Sequence, residues 1–156
     1  MAKSFILSFL FLAIACSQSD QSTQHESDTK SPLDGSWELV ENWVNGQLVS
    51  PQKHPQQFKI FHDGFFSYLM YKPNGSFYNA GAGTYSTEGN QYKETFLYYS
   101  DSVYIGSSDW QEWKLESDTL YFYGFRKAVD KTGKDVTQEW GRNKFVEKRV
   151  RANRRY

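Results

Sequence analysis

The chain cannot brace itself with an internal disulfide, because it has a single cysteine, Cys16. Its fold must therefore depend on its core. Histidine is scarce and scattered: His25 lies in a polar stretch, His54 in a loop flanked by prolines, and His62 at a turn. None is spaced from another His, the Cys or a carboxylate as metal ligands are, so no metal site is expected. The "GSS" at 106–108 lacks the Gly-x-Ser-x-Gly elbow of a serine nucleophile. The "AGAGTY" at 80–85 is not followed by the lysine of a phosphate loop. No constellation points to catalysis or to a cofactor. An acid–base role for Glu94 with a tyrosine ranks behind the binding readings below. Lys and Arg total 18 against 18 Asp and Glu. With no basic field, a nucleic-acid partner is disfavoured.

Long hydrophobic runs are also missing. A spanning helix needs ~20 apolar residues, whereas "FILSFLFLAIA" covers only residues 5–15. A charged start at Lys3, a short apolar run and small residues at Ala13 and Ala15 have the form of a secretory signal peptide. Cys16 follows directly, and the arrangement resembles the lipobox of bacterial lipoproteins. That resemblance implies cleavage after residue 15 and lipid on Cys16. The expected address is extracytoplasmic, at the outer membrane of a Gram-negative bacterium, with the lipid as membrane anchor. Residues 16–34 are almost wholly polar and read as a flexible tether. Loss of residues 1–15 would leave a formal charge of 17 minus 18, or −1. Residues 146–156 read as a basic C-terminal tail.

What the remaining stretch does have is rings. From Gly35 onward Phe, Tyr and Trp outnumber Leu, Ile and Val, and aromatics favour pleated surfaces. Turn signals recur at "VNGQ", "HDG", "KPNGS", "EGN", "ESD" and "DKTGKD". Between them the pattern predicts strands over 35–43, 57–62, 65–72, 80–87, 91–100, 109–116, 119–126 and 136–145. Short strands at this spacing imply an all-β domain over 35–145. An eight-stranded antiparallel up-and-down barrel fits best, since closure removes exposed edges; a sandwich is the alternative.

"GSWELVENWVNG" resembles the Gly-x-Trp opening strand of the lipocalin and calycin group. "AGAGTYSTEGNQYKETFLYYS", "WKLESDTLYFYG" and "VTQEWGR" follow in the order and spacing of a lipocalin-like domain of unknown function found in exported bacterial lipoproteins. The resemblance implies that Trp37 packs at the closed end of the barrel under an arginine from the last strand, which in this register is Arg142.

Alternation along strands suggests what faces inward. Lys93 outward turns Tyr92, Glu94, Phe96 and Tyr98 in. Glu112 and Lys114 outward turn Trp113 and Leu115 in. Lys72 outward favours Ser67, Leu69 and Tyr71 inward, and Gln138, Trp140 and Arg142 share one face. In 119–126 the parity is open between Tyr121, Tyr123, Phe125 and Leu120, Phe122. The expected ligand contacts are Glu94, Phe96, Tyr98, Trp113, Tyr123 and Trp140. An inward Glu94 has two readings that can both hold: a satisfied buried carboxylate bonded to a tyrosine hydroxyl or paired with Arg142, or an anchor for a ligand's polar group. The resulting expectation is a lipid-anchored lipocalin-like protein that binds a small hydrophobic or amphipathic molecule. The alternative is an envelope interaction module with a filled barrel and no ligand, using outward rings such as Trp43 and Trp110.

Overall fold

The structure, a computed structural model, describes residues 30–50, 57–72, 74–142 and 144–153. The stretch read as a signal peptide, Cys16, His25, most of the stretch read as a tether, and the proline loop with His54 lie outside the described residues. Among the described residues nine strands form one antiparallel sheet: β1 (Gly35–Val44), β2 (Gln47–Ser50), β3 (Gln57–His62), β4 (Phe65–Tyr71), β5 (Phe77–Glu88), β6 (Gln91–Tyr99), β7 (Ser108–Glu116), β8 (Thr119–Val129) and β9 (Phe145–Arg151). They lie in sequence order, except that β1 pairs with β3 through its first half and with β2 through its second. The other edge of β1 pairs with β9, from Trp37↔Arg151 to Val44↔Phe145. Strands β1 and β3–β9 therefore close into an eight-stranded up-and-down barrel, and β2 extends its first hairpin. The "NG" and "DG" signals become two-residue turns at Asn45–Gly46 and Asp63–Gly64, with all four residues at positive φ.

The last strand corrects the sequence reading. Residues 136–145 are not a strand. Thr137–Trp140 form a single helical turn, α1. Its start is held by Asp135, whose Oδ1 accepts from the Thr137 N–H at 2.8 Å, and by Thr137 Oγ1, which accepts from the Ala128 N–H at 2.9 Å. The closing strand comes instead from the stretch read as a basic tail. That stretch looks solvated because β9 turns Glu147, Arg149 and Arg151 to the inside, against the usual polarity.

The closure pair changes accordingly. Arg142 is exposed in the turn after α1. Arg151 takes the expected place, its guanidinium carbon 3.9 Å from the Trp37 ring centroid. Trp37 is fully buried, and its Nε1 donates to the Leu33 carbonyl at 2.7 Å. Arg151 also donates to the carbonyls of Asp34 and Pro32. Gly35 makes room for this: a Cβ there would stand 2.3 Å from Arg151 Nη1. Residues 31–34, assigned by composition to the tether, thus cap the barrel, with Leu33 fully buried. Behind the cap, Phe61, Tyr85, Tyr92, Leu120 and Phe122 fill the closed end. Phe61 meets Tyr85 edge-on at 5.0 Å, and Tyr92 lies 4.8 Å from Phe122.

Strand β4 has the opposite parity to the one expected. Phe66, Tyr68 and Met70 face in, while Ser67, Leu69 and Tyr71 face out. Lys72 was a poor guide because it lies beyond the strand, where its N–H donates to the Ser76 carbonyl of the next turn.

Candidate functional site

The open half of the barrel is not filled. A cavity of about 500 Å³ lies between the buried rings and the end opposite Trp37. Its rim is aromatic, with Tyr99, Tyr104, Phe125, Trp140 and Phe145. Trp140 packs between Tyr104 at 5.5 Å and Phe125 at 5.7 Å. Its floor is polar and charged, and there the strand pattern holds β3, β6, β7 and β9 side chains at one level.

Glu94 is the centre of that floor. It is buried, and its Oε2 accepts from Lys59 Nζ at 2.5 Å and from the Tyr92 hydroxyl at 2.6 Å. The tyrosine partner was expected; the cation is Lys59 rather than Arg142. Lys59 Nζ also sits 4.8–5.5 Å from the ring centroids of Phe61, Phe66, Tyr92 and Phe122, which favours its charge at the boundary with the apolar end. Asp109 faces Glu94 across the β6–β7 register. Its Oδ1 accepts from Gln111 Nε2 at 2.8 Å. Burial first, and the neighbouring Glu94 carboxylate second, hold the Asp109 carboxyl well above the usual carboxylate range. On the far wall Arg149 is 1% exposed, and its Nε and Nη2 donate to Glu147 Oε2 at 3.1 and 2.6 Å.

Of the expected contacts, Glu94, Phe96 and Trp140 line the cavity. Tyr98 does not: it is 71% exposed. The β5–β6 register slips between Ala82 and Gly83, leaving Leu97 without a partner and exchanging the faces of Tyr98 and Tyr99. Gly83 permits the bulge, since a Cβ there would lie 1.8 Å from the Thr95 carbonyl oxygen. Tyr99 therefore takes the inward place. Tyr123 is also outside, stacked on Tyr121 at 6.3 Å. A second slip opposite Gln111 and Glu112 leaves Gly124 unpaired, so that Phe122 and Phe125 both point in. Trp113 packs on the closed-end core and donates to the Gly89 carbonyl, away from the cavity. Gln138 is exposed on α1.

Sequence reasoning missed Lys59, Asp109, Gln111 and Arg149. In "QFKIFH" the inward set is Gln57, Lys59 and Phe61. Polarity alone turns the first two outward, and the only opposing signal is Phe61 sharing their parity. Among the outward rings, Trp110 lies 4.9 Å from both Lys93 and Lys127, and Trp43 is exposed, with its Nε1 on Glu41. His62 is exposed at its turn.

A sequential eight-stranded antiparallel barrel, closed by its first strand against its last and sealed at one end by a tryptophan under an arginine, defines the architecture. The fold is lipocalin-like. No protein-family model and no curated protein matches the chain. Among solved structures it is similar to a lipocalin-like protein from Bacteroides uniformis ATCC 8492, at 15% identity and a TM-score of 0.47 over 77% of this chain and 98% of that one. It is also similar to an uncharacterized protein from Bacteroides eggerthii DSM 20697, at 13% identity and a TM-score of 0.49 over 77% and 99% of the two chains.

The raised Asp109 carboxyl has a consequence for stability. In the unfolded chain this group loses its proton near pH ~4, while the folded barrel keeps it. The folded state then binds more protons, so stability falls as pH rises from there to the raised folded value, and levels off beyond it. Asp109→Asn removes that slope and keeps an acceptor for Gln111. Urea denaturation from pH 4 to 8 should therefore give a flatter profile for the variant. Parallel profiles would mean that Asp109 is not held protonated.

Proposed function

We propose that this lipocalin-like barrel binds one small, partly apolar ligand through its open end, and that lipid on Cys16 displays it extracytoplasmically. The observation that carries the binding reading is the division of the interior: the closed half is packed with rings, and the other half is a cavity of about 500 Å³ with an aromatic rim. The cavity's volume lies within the usual range of small-molecule sites, ~300–1,000 Å³, and it joins rim rings to a set of convergent polar groups on the floor. The hollow half speaks for a ligand carrier over an interaction module with a filled barrel.

Native mass spectrometry of protein purified from its own host tests the reading. A non-protein mass should accompany the folded chain and leave on unfolding. Trp140→Ala, which removes a rim ring, should lower the retained fraction. Apo protein alone, together with a crystal structure in which side chains fill the cavity, would reject the proposal. The address is tested separately: Cys16→Ser should move the protein from membranes to the soluble extracytoplasmic fraction, and a variant that stays with membranes removes the anchor.

A further inference from the structure

The cavity floor has an unusual inventory. Its two cations are already matched, Lys59 to Glu94 and Arg149 to Glu147. Burial and the facing Glu94 carboxylate hold the Asp109 carboxyl well above the usual carboxylate range, which disfavours a further negative charge beside Glu94. A further ion placed on this floor would have no countercharge, and an uncompensated buried charge is strongly unfavourable. Yet the floor is not satisfied. Arg149 Nη1, Gln57 Oε1 and Asn42 Oδ1, all on residues that line the cavity, are buried and have no hydrogen-bond partner among the described residues. Of the three residues, Arg149 and Gln57 are the buried ones, 1% and 6% exposed. They flank β1 at one level: Leu39 pairs with Arg149, and the β1–β3 register running through Glu38↔Phe58 brings Gln57 to the other side of Leu39. Two strand spacings, about 10 Å, separate their backbones; the buried Leu39 side chain lies between them on β1, so a group that meets both orphans sits over it.

One of these orphans is a donor and the other two are acceptors. A carboxylate only accepts and an ammonium only donates, whereas a hydroxyl or carboxamide does both. The apolar surface is at the rim, among Tyr104, Phe125, Trp140 and Phe145. We infer that the ligand enters polar end first: an uncharged head with both donors and acceptors, a carboxamide or a hydroxylated group, is held between Gln57 and Arg149, and an apolar body stays among the rim rings. This rests on the binding role proposed above and specifies its ligand.

Four probes with one C8 chain and different heads test it: octanamide, octyl β-D-glucoside below its micelle concentration, octanoate and octylammonium. Affinities are read by calorimetry, and head position by nuclear Overhauser contacts. At least one neutral probe should bind ~10-fold more tightly than both ions, the scale of one or two satisfied hydrogen bonds. Its head should contact Gln57 and Tyr68, not Trp140. Gln57→Leu should weaken that probe ~10-fold without lowering Tm, because it removes an orphaned buried acceptor. A purely structural Gln57 would give the reverse. Arg149→Met serves as a second variant where it folds. Tighter binding of either ion, a head located at the rim, or unchanged affinity in Gln57→Leu overturns the inference. If no probe binds while host-purified protein still carries a ligand, the head assignment is wrong and the binding role stands. If host protein is also empty and side chains fill the cavity in a crystal structure, both fall.

Discussion

Trp37→Ala costs the barrel ~3–5 kcal/mol, the range for emptying a fully buried indole site. Domains of this kind hold only ~5–15 kcal/mol in total. Three losses coincide. The ring leaves a hole in the closed end, where nothing can collapse without parting β1 from β9. The Leu33 carbonyl loses its donor at 2.7 Å. The Arg151 guanidinium loses the face on which it lies at 3.9 Å, a partly desolvated cation–π contact worth ~2 kcal/mol. Arg151→Lys should be intermediate, since an ammonium keeps the charge but neither stacks flat nor reaches two carbonyls at once. Arg142→Lys, at an exposed turn, should be nearly neutral. Urea denaturation followed by far-UV circular dichroism ranks the three. Equal costs for Arg142→Lys and Arg151→Lys would show that the closing arginine is misplaced.

Lys59→Met should cost about as much, ~3–5 kcal/mol, for a different reason. The ammonium sits 2.5 Å from Glu94 Oε2, with both side chains buried. Without it a carboxylate remains among Phe61, Phe66, Tyr92 and Phe122 with only hydrogen bonds for support. The loss is one of charge balance, so it should be repairable: Lys59→Met with Glu94→Gln removes the charge, leaves an amide to accept from Tyr92, and should recover most of the stability. A double-mutant cycle measures this directly. If the double variant is no more stable than the single, the pair does not act as an ion pair. A methionine also preserves much of the apolar stem of Lys59, which keeps the comparison focused on the ammonium.

Most strands were legible because hairpins and alternation are local signals. Seven of the eight barrel strands lie where turn residues and rings place them, and Trp37, Glu94 and Phe96 face inward as their parity requires. Errors arose where local signals were reversed. Tyr98 was assigned by counting twos along a strand that contains an extra residue, at Leu97; at Tyr123 alternation left the parity open, and Leu120 and Phe122 take the inward face instead. A bulge is invisible to such counting, and Gly83 hints at it only once its contact with the Thr95 carbonyl is known.

The residues that give the cavity its chemistry were the least legible. A lysine in β3 and two arginines in β9 point inward, and composition alone sends such residues to solvent. They can be buried because partners from distant strands meet them: Lys59 and Glu94 are 35 positions apart, and Arg151 reaches back 117 positions to Asp34. By itself the sequence determined an all-β chain of short hairpin-linked strands with too many rings for a water-facing sheet, because turn chemistry and side-chain period act within a few residues. Only the tertiary structure decided which stretch closes the barrel, which arginine covers Trp37, and that half the interior is hollow with a charge-balanced floor. Those outcomes depend on pairing free energies between residues remote in sequence, where a buried charge is admissible only once its partner is in place.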